Sequence, residues 1–425
     1  MRISDRMTVG RAIDWAATVA LSWILVSPGA VGGAMAQDPL TKVTLDDALQ
    51  LALRQNPTLR AQQYSLLSTK ANEVTAGLRP NPQATFLSEQ HPAGNAAIPQ
   101  YTASFGLPIE LGGKRQRRID AANAATRVSA YQLDDVRRQT ILLVKTAYAG
   151  ALIARDQLAL ADQNLKTLDD TERLQKIRME KGDLSELELL RIQVQRFTFE
   201  RDAADASQAL ATAKIALRTA AGETNIAETF DVVGELGFKE IPLDRTALMR
   251  AALDNRPDLR AAEADRARAR ADNRLARANA WWDITPQIEY QRIGGDNTIG
   301  FGISIPVKIF DRNQGEIART QAEIARVDAV REATALQVLA AVDTDLAGAT
   351  TQRERVVRLR DVYLPKATKA RDTVDYAYRR GGASLLDFLD AQRSYRETAL
   401  AYLQALGTYL SAIYQLEADV GGALD

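Results

Sequence analysis

The chain has 425 residues, with 54 basic and 54 acidic side chains, one histidine, no cysteine, and 46% hydrophobic but only 6% aromatic residues. Balanced charge offers no basic surplus for phosphate neutralisation, so nucleic acid is not expected as a partner. Without cysteine there are no disulfides, thiolate metal sites or thiol nucleophiles, and the lone His91, in a loop beside Pro92, cannot build a histidine metal cluster. No enzyme chemistry, cofactor or resident metal is expected.

Residues 1–36 read as a cleaved export signal. Arg2, Arg6 and Arg11 give a basic start, residues 15–26 form an apolar run, Pro28-Gly29 breaks it, and Ala34-Met35-Ala36 supplies a small-residue cleavage site. That run is too short for a helix across ~30 Å of hydrocarbon. No second apolar run of transmembrane-helix length follows.

The remainder is written twice. Leu53-Arg-Gln-Asn-Pro57-Thr-Leu59-Arg60-Ala61 returns as Leu253-Asp-Asn-Arg-Pro257-Asp-Leu259-Arg260-Ala261. Leu107-Pro108-Ile109 with Gly113-Lys-Arg-Gln116 returns as Ile305-Pro306-Val307 with Asp311-Arg-Asn-Gln314. Lys181-Gly182-Asp183-Leu184-Ser185 returns as Arg380-Gly381-Gly382-Ala383-Ser384. Three landmarks in one order, at offsets of 200, 198 and 199, indicate duplication. A first repeat is expected over 37–222, a linker over 223–243, and a second repeat over 244–425.

Each repeat has one plan. A helical stretch (44–78 or 244–280) leads to two strands, near 83–90 and 101–108 or near 284–292 and 298–306. Polar loops, 91–100 and 294–297, join the strands as hairpins. Then come helical rods over 113–181 and 312–380, each of 69 residues rich in Ala, Arg, Leu, Glu and Gln, each about 100 Å long at 1.5 Å per residue. Gly182 and Gly381-Gly382 reverse the chain into a further helix, and Pro365 is expected to kink the second rod. Spacings of three and four at Leu158, Ala161, Leu165, Leu168 and at Ala399, Leu403, Leu406, Leu410, Ile413 make apolar coiled-coil seams.

The strands alternate in a two-residue period, as in Tyr101, Ala103, Phe105 or Ile299, Phe301, Ile303, with small or polar residues between. Strands of about nine residues with one apolar face suit a transmembrane barrel wall. A membrane forbids open sheet edges, and four strands are too few to close a barrel. An oligomer is therefore required, and three chains would supply twelve strands. Trp281-Trp282 suit an interfacial aromatic belt. No Ser–His–Asp, metal-hydrolase or P-loop constellation is present, and Gly300-x-Gly302 lacks the third glycine of a dinucleotide fingerprint.

From about residue 44 to 420 this organisation resembles the TolC-like outer-membrane efflux proteins. The segments Leu107-Pro-Ile-Glu-Leu-Gly-Gly-Lys-Arg115 and Ile305-Pro-Val-Lys-Ile-Phe-Asp-Arg-Asn-Gln-Gly315 are most similar to the outer-membrane component of cobalt–zinc–cadmium efflux systems. The resemblance implies a mainly α chain with a small β part. Three copies would form a 12-stranded β-barrel in outer-membrane lipid, continued by an α-helical periplasmic tunnel. It also implies two protein partners, an inner-membrane resistance–nodulation–division pump and a periplasmic adaptor (membrane fusion) protein. The adaptor would dock at the turns, at Gly182, Asp183, Leu184, Ser185, Gly381, Gly382, Ser384 and Leu385. By the same resemblance Asp387 and Asp390 constrict the tunnel mouth. Three residues apart, they share a helical face, and in a trimer they would make two acidic rings that favour cations and raise one another's pKa. Drug efflux and type I protein secretion are the alternatives within this class, and a periplasmic coiled-coil adaptor or structural protein is the alternative outside it.

Overall fold

The computed structural model describes residues 40–90, 98–182, 186–222 and 225–424. The expected export signal, His91 and the tip residues Asp183, Leu184 and Ser185 lie outside the described residues.

Strand β1 (Leu40–Val43) leads into α1 (Leu45–Gln55) and α2 (Pro57–Gly77). The single helix expected over 44–78 is broken because Asn56 precedes proline and takes an extended ψ of 122°. Asn56 then caps α2. Its Oδ1 accepts from the Thr58 and Leu59 N–H groups, and its Nδ2 donates to the Ala220 carbonyl 3.0 Å away. After strands β2 (Gln83–Glu89) and β3 (Gln100–Gly106) comes α3 (Lys114–Glu180), 67 residues without interruption, then α4 (Glu186–Ala221).

Part of the expected linker is a strand. β4 (Ile226–Val232) pairs in parallel with β1, Leu40 opposite Ile226 and Val43 opposite Val232. This pair covers a core of Val43, Ala48, Val144, Leu152, Leu217 and Phe230, drawn from α1, α3, α4 and the strands.

The second copy repeats the corner: α5 (Arg245–Asn255) and α6 (Pro257–Asn279) meet at Arg256, ψ 119°, before Pro257. Strands β5 (Thr285–Ile293) and β6 (Asp296–Ser304) follow, then α7 (Gln314–Arg358), α8 (Leu364–Arg379) and α9 (Leu385–Val420). The rod is interrupted as expected near Pro365, but by a π-helical segment over Leu359–Tyr363. Pro365 then occupies the first turn of α8, where its missing N–H costs no hydrogen bond. α3 packs on α4 as one hairpin and α8 on α9 as the other, while α2 and α6 lie along α3. Ala399, Leu406 and Ile413 of the seam read from the sequence are buried. In α3 the fully buried stripe runs through Leu160, Asn164 and Leu168.

Candidate functional site

Two ends of the folded chain carry functional features. At one end β2, β3, β5 and β6 form a four-stranded antiparallel sheet in that order. β6 begins two residues earlier than expected, because Gly294 at φ +58° closes a two-residue turn with Gly295 and brings Ile293 opposite Asp296. β3 ends at Gly106, before Pro108, which has no N–H to give a ladder. The register puts Phe86, Phe105, Ile288, Tyr290, Ile299, Phe301 and Ile303 on one face. Thr85, Ser104, Gln287, Glu289, Thr298 and Gly300 stand on the other. The apolar face is bare, with Phe301 84% and Phe86 71% exposed, and within one chain β2 and β6 are free edges. Among the described residues no helix is long and apolar enough to cross a membrane.

The sheet is bolted to the helices by Asp283. Its carboxylate accepts from Lys114 Nζ at 2.7 Å and from the Leu111 N–H at 3.0 Å. Burial pushes this carboxyl up, but the two hydrogen bonds together with the Lys114 and Lys308 charges outweigh it and hold it below the ordinary range. Arg118 pairs with Glu110 beside it.

At the opposite end of the helices are the turns. Gly182 sits at φ +82° and Gly381 at φ +77°. The Gly382 N–H donates to the Ala377 carbonyl at 2.8 Å and the Gly381 N–H to that of Tyr378 at 3.1 Å, the paired bonds of a Schellman stop. Ser384 starts α9 through a capping box: its hydroxyl accepts from the Asp387 N–H, and the Asp387 carboxylate accepts from Ser384 N–H and Oγ. Within one chain, those bonds hold the Asp387 carboxyl below its ordinary value. Asp387 and Asp390 are both exposed, as are Gly182, Gly381, Gly382 and Ser384. Leu385 is not on that surface. It is 4% exposed and packs with Phe388, Tyr378, Ile192, Leu168 and Phe199, so its position at the tip is a core position.

That core fastens the two hairpins together through residues the sequence reading missed. Arg178 Nη2 donates to the Arg379 carbonyl at 2.7 Å, and its guanidinium lies 5.9 Å from the Tyr378 ring. Tyr378 stacks on Phe388 at 4.9 Å between centroids, and burial pushes its phenol up to about 12. Arg396 of α9 reaches Asp202 of α4 at 3.0 Å. Within α3 and α4, Glu172 accepts from Lys176 and Arg196, and these bonds keep it ionised despite burial. The readable signal was the aromatic pair Tyr378 and Phe388 flanking the glycine turn, a packing pattern across a helix reversal. Among the described residues no group of three or more His, Cys, Asp or Glu side chains is placed to hold a metal.

Residues 48–223 and 248–422 match the family model described as Outer membrane efflux protein. The chain is 28% identical over 380 residues to the cobalt-zinc-cadmium resistance protein CzcC of Cupriavidus metallidurans, covering 87% of this chain and 88% of that protein. It is 25% identical over 325 residues to the nickel-cobalt-cadmium resistance protein NccC of Alcaligenes xylosoxydans xylosoxydans, covering 74% of this chain and 71% of that protein. Among solved structures, the Campylobacter jejuni CmeC outer membrane channel superposes with a TM-score of 0.76 at 15% identity, covering 90% of this chain and 86% of that one.

Proposed function

This chain belongs to the outer membrane efflux protein family, and from that premise we propose that it is the exit duct of a tripartite system exporting heavy-metal cations. The observation that carries the duct reading is the four-stranded sheet with one bare apolar face and two free edges. In hydrocarbon those edges must pair, and twelve strands from three copies close a barrel above the practical minimum of about eight. The helical hairpins then continue as a tunnel. Their exposed turn residues Gly182, Gly381, Gly382 and Ser384 would meet a periplasmic adaptor, which links the duct to an inner-membrane pump. Asp387 and Asp390, exposed on one helical face, would ring the tunnel mouth and favour cations. The cargo assignment rests on the relatives named for cobalt, zinc, cadmium and nickel resistance.

Deleting the gene is expected to raise sensitivity to zinc, cobalt or cadmium more than to hydrophobic drugs, measured as growth inhibition. Sensitivity to drugs alone would reverse the cargo assignment and leave the duct in place.

A further inference from the structure

Where the sheet meets the helices, an open cavity of 660 Å³ is lined by Trp281, Trp282, Ile305, Val307, Lys308 and Arg312. It is built rather than incidental. Trp281 lies against Gly112, where a Cβ would stand 2.9 Å from the Trp281 Cβ and Cγ, so only glycine leaves the indole its place. Both tryptophans remain exposed, at 59% and 43%, and Val307 at 75%. The neighbouring Ile303 belongs to the apolar face of the sheet, so the cavity continues that face at its helix-side end.

Both charged residues that line it are cations. Lys308 Nζ donates to the Asn279 carbonyl and keeps two donors over. Arg312 is exposed, and among the described residues its hydrogen bond is from the backbone N–H to Gln314 Oε1 at 2.8 Å. Two carboxylates lie near: Asp283, whose charge acts on both Lys114 and Lys308, and Asp311, which accepts from the Asn313 N–H at 2.8 Å; with Lys114 counted, three cations face these two anions. Pairing of the free edges with a second copy, antiparallel like the rest of the sheet, sets the start of its β2 beside the end of β6. Residues 78–83 of that neighbour bring Arg79 and no carboxylate. What fits is an anion with an apolar body.

We propose that this cavity binds the phosphate of an anionic glycerophospholipid, its headgroup between Lys308 and Arg312 and its acyl chains over Trp282, Ile305 and Val307. The inference rests on placing the sheet in a membrane. Tryptophan rings suit the headgroup level, and each cation near an anionic lipid surface strengthens binding by about fivefold.

Native mass spectrometry of the full chain in detergent, titrated with phosphatidylglycerol or phosphatidylethanolamine, reads the site directly. Phosphatidylglycerol is expected to bind in excess. R312Q, whose side chain makes no hydrogen bond or ion pair among the described residues, should weaken phosphatidylglycerol binding about fivefold, and K308Q/R312Q about 25-fold. The loss for phosphatidylethanolamine should be smaller, because its ammonium offsets the phosphate charge. Equal binding of the two lipids, or unchanged phosphatidylglycerol affinity in R312Q, would overturn the proposal. Displacement of the lipid by equimolar inorganic phosphate would make this a free-anion site and also overturn it. Conductance in planar bilayers tests the duct separately: a normal channel without phosphatidylglycerol preference sinks the lipid site alone.

Discussion

Asp345 on α7 faces the Asp419 carboxylate on α9. Burial first, then the Asp419 carboxylate, pushes Asp345 up to about 7, against the pull of Arg256. Arg256 faces the pair from the head of α6, 3.1 Å from Asp419 and itself tied to Asp258, and Arg138 of α3 approaches Asp419 at 3.8 Å. A raised carboxyl stabilises the fold only while protonated. Its contribution is complete below 3.8 and is lost as pH rises to about 7. Asp345→Asn should therefore raise stability at pH 8 by roughly 1–2 kcal/mol once solvent screening is allowed for, seen as a higher thermal midpoint, and leave it unchanged below pH 4. A pH-independent difference, followed by circular dichroism, would count against the raised Asp345 carboxyl.

Asp387 and Asp390 separate at the same scale. Asp387 is half of a capping box, whereas no hydrogen bond to the backbone ties Asp390 among the described residues. Asp390→Asn is expected to weaken cation preference in bilayer reversal potentials without changing the melting midpoint. Ser384→Ala should do the reverse, costing about 1 kcal/mol of stability through the lost cap. If Asp390→Asn left selectivity intact, the tunnel-mouth assignment would fall.

Between elements, α9 approaches α3 closely at Gly407. A Cβ on Gly407 would stand 2.1 Å from Ile153 Cδ1 and 2.9 Å from Cγ1, so a side chain there requires Ile153 to leave its rotamer. Gly407→Ala should cost about 1–3 kcal/mol by overpacking. Ile153→Val, which deletes Cδ1, should return part of it in a double-mutant cycle; additive losses would mean that the two residues do not meet. The duplication is visible at this scale too. Gly222 at φ +101° packs on Gln55 and Asn56, and Gly421 at φ +76° packs on Asn255, so each copy closes its last helix against its own proline corner. Inside those matching corners the chemistry has diverged. Asn56 donates to a carbonyl where Arg256 pairs with Asp419.

At the scale of the whole molecule, a sheet with two free edges and an exposed apolar face predicts a detergent-solubilised trimer by light scattering. A stable monomer without detergent would contradict it. Much of this architecture could be read along the chain. Two-residue alternation marked the four strands, because a pleat sends successive side chains to opposite faces. Spacings of three and four with glycine stops marked the hairpins, because helix periodicity and left-handed caps are local properties. Contacts between distant segments left no such trace. β1 and β4 are short and separated by the entire first hairpin, and their parallel pairing depends on a shared core of Val43, Phe230 and Val232 that exists only once α1, α3 and α4 have met. The same holds for Arg178 reaching the Arg379 carbonyl, for Leu385 turning inward, and for Trp281 and Arg312 sharing one cavity. Periodicity says which face of an element is apolar; which face it meets is settled by packing, and packing joins residues that the chain keeps far apart.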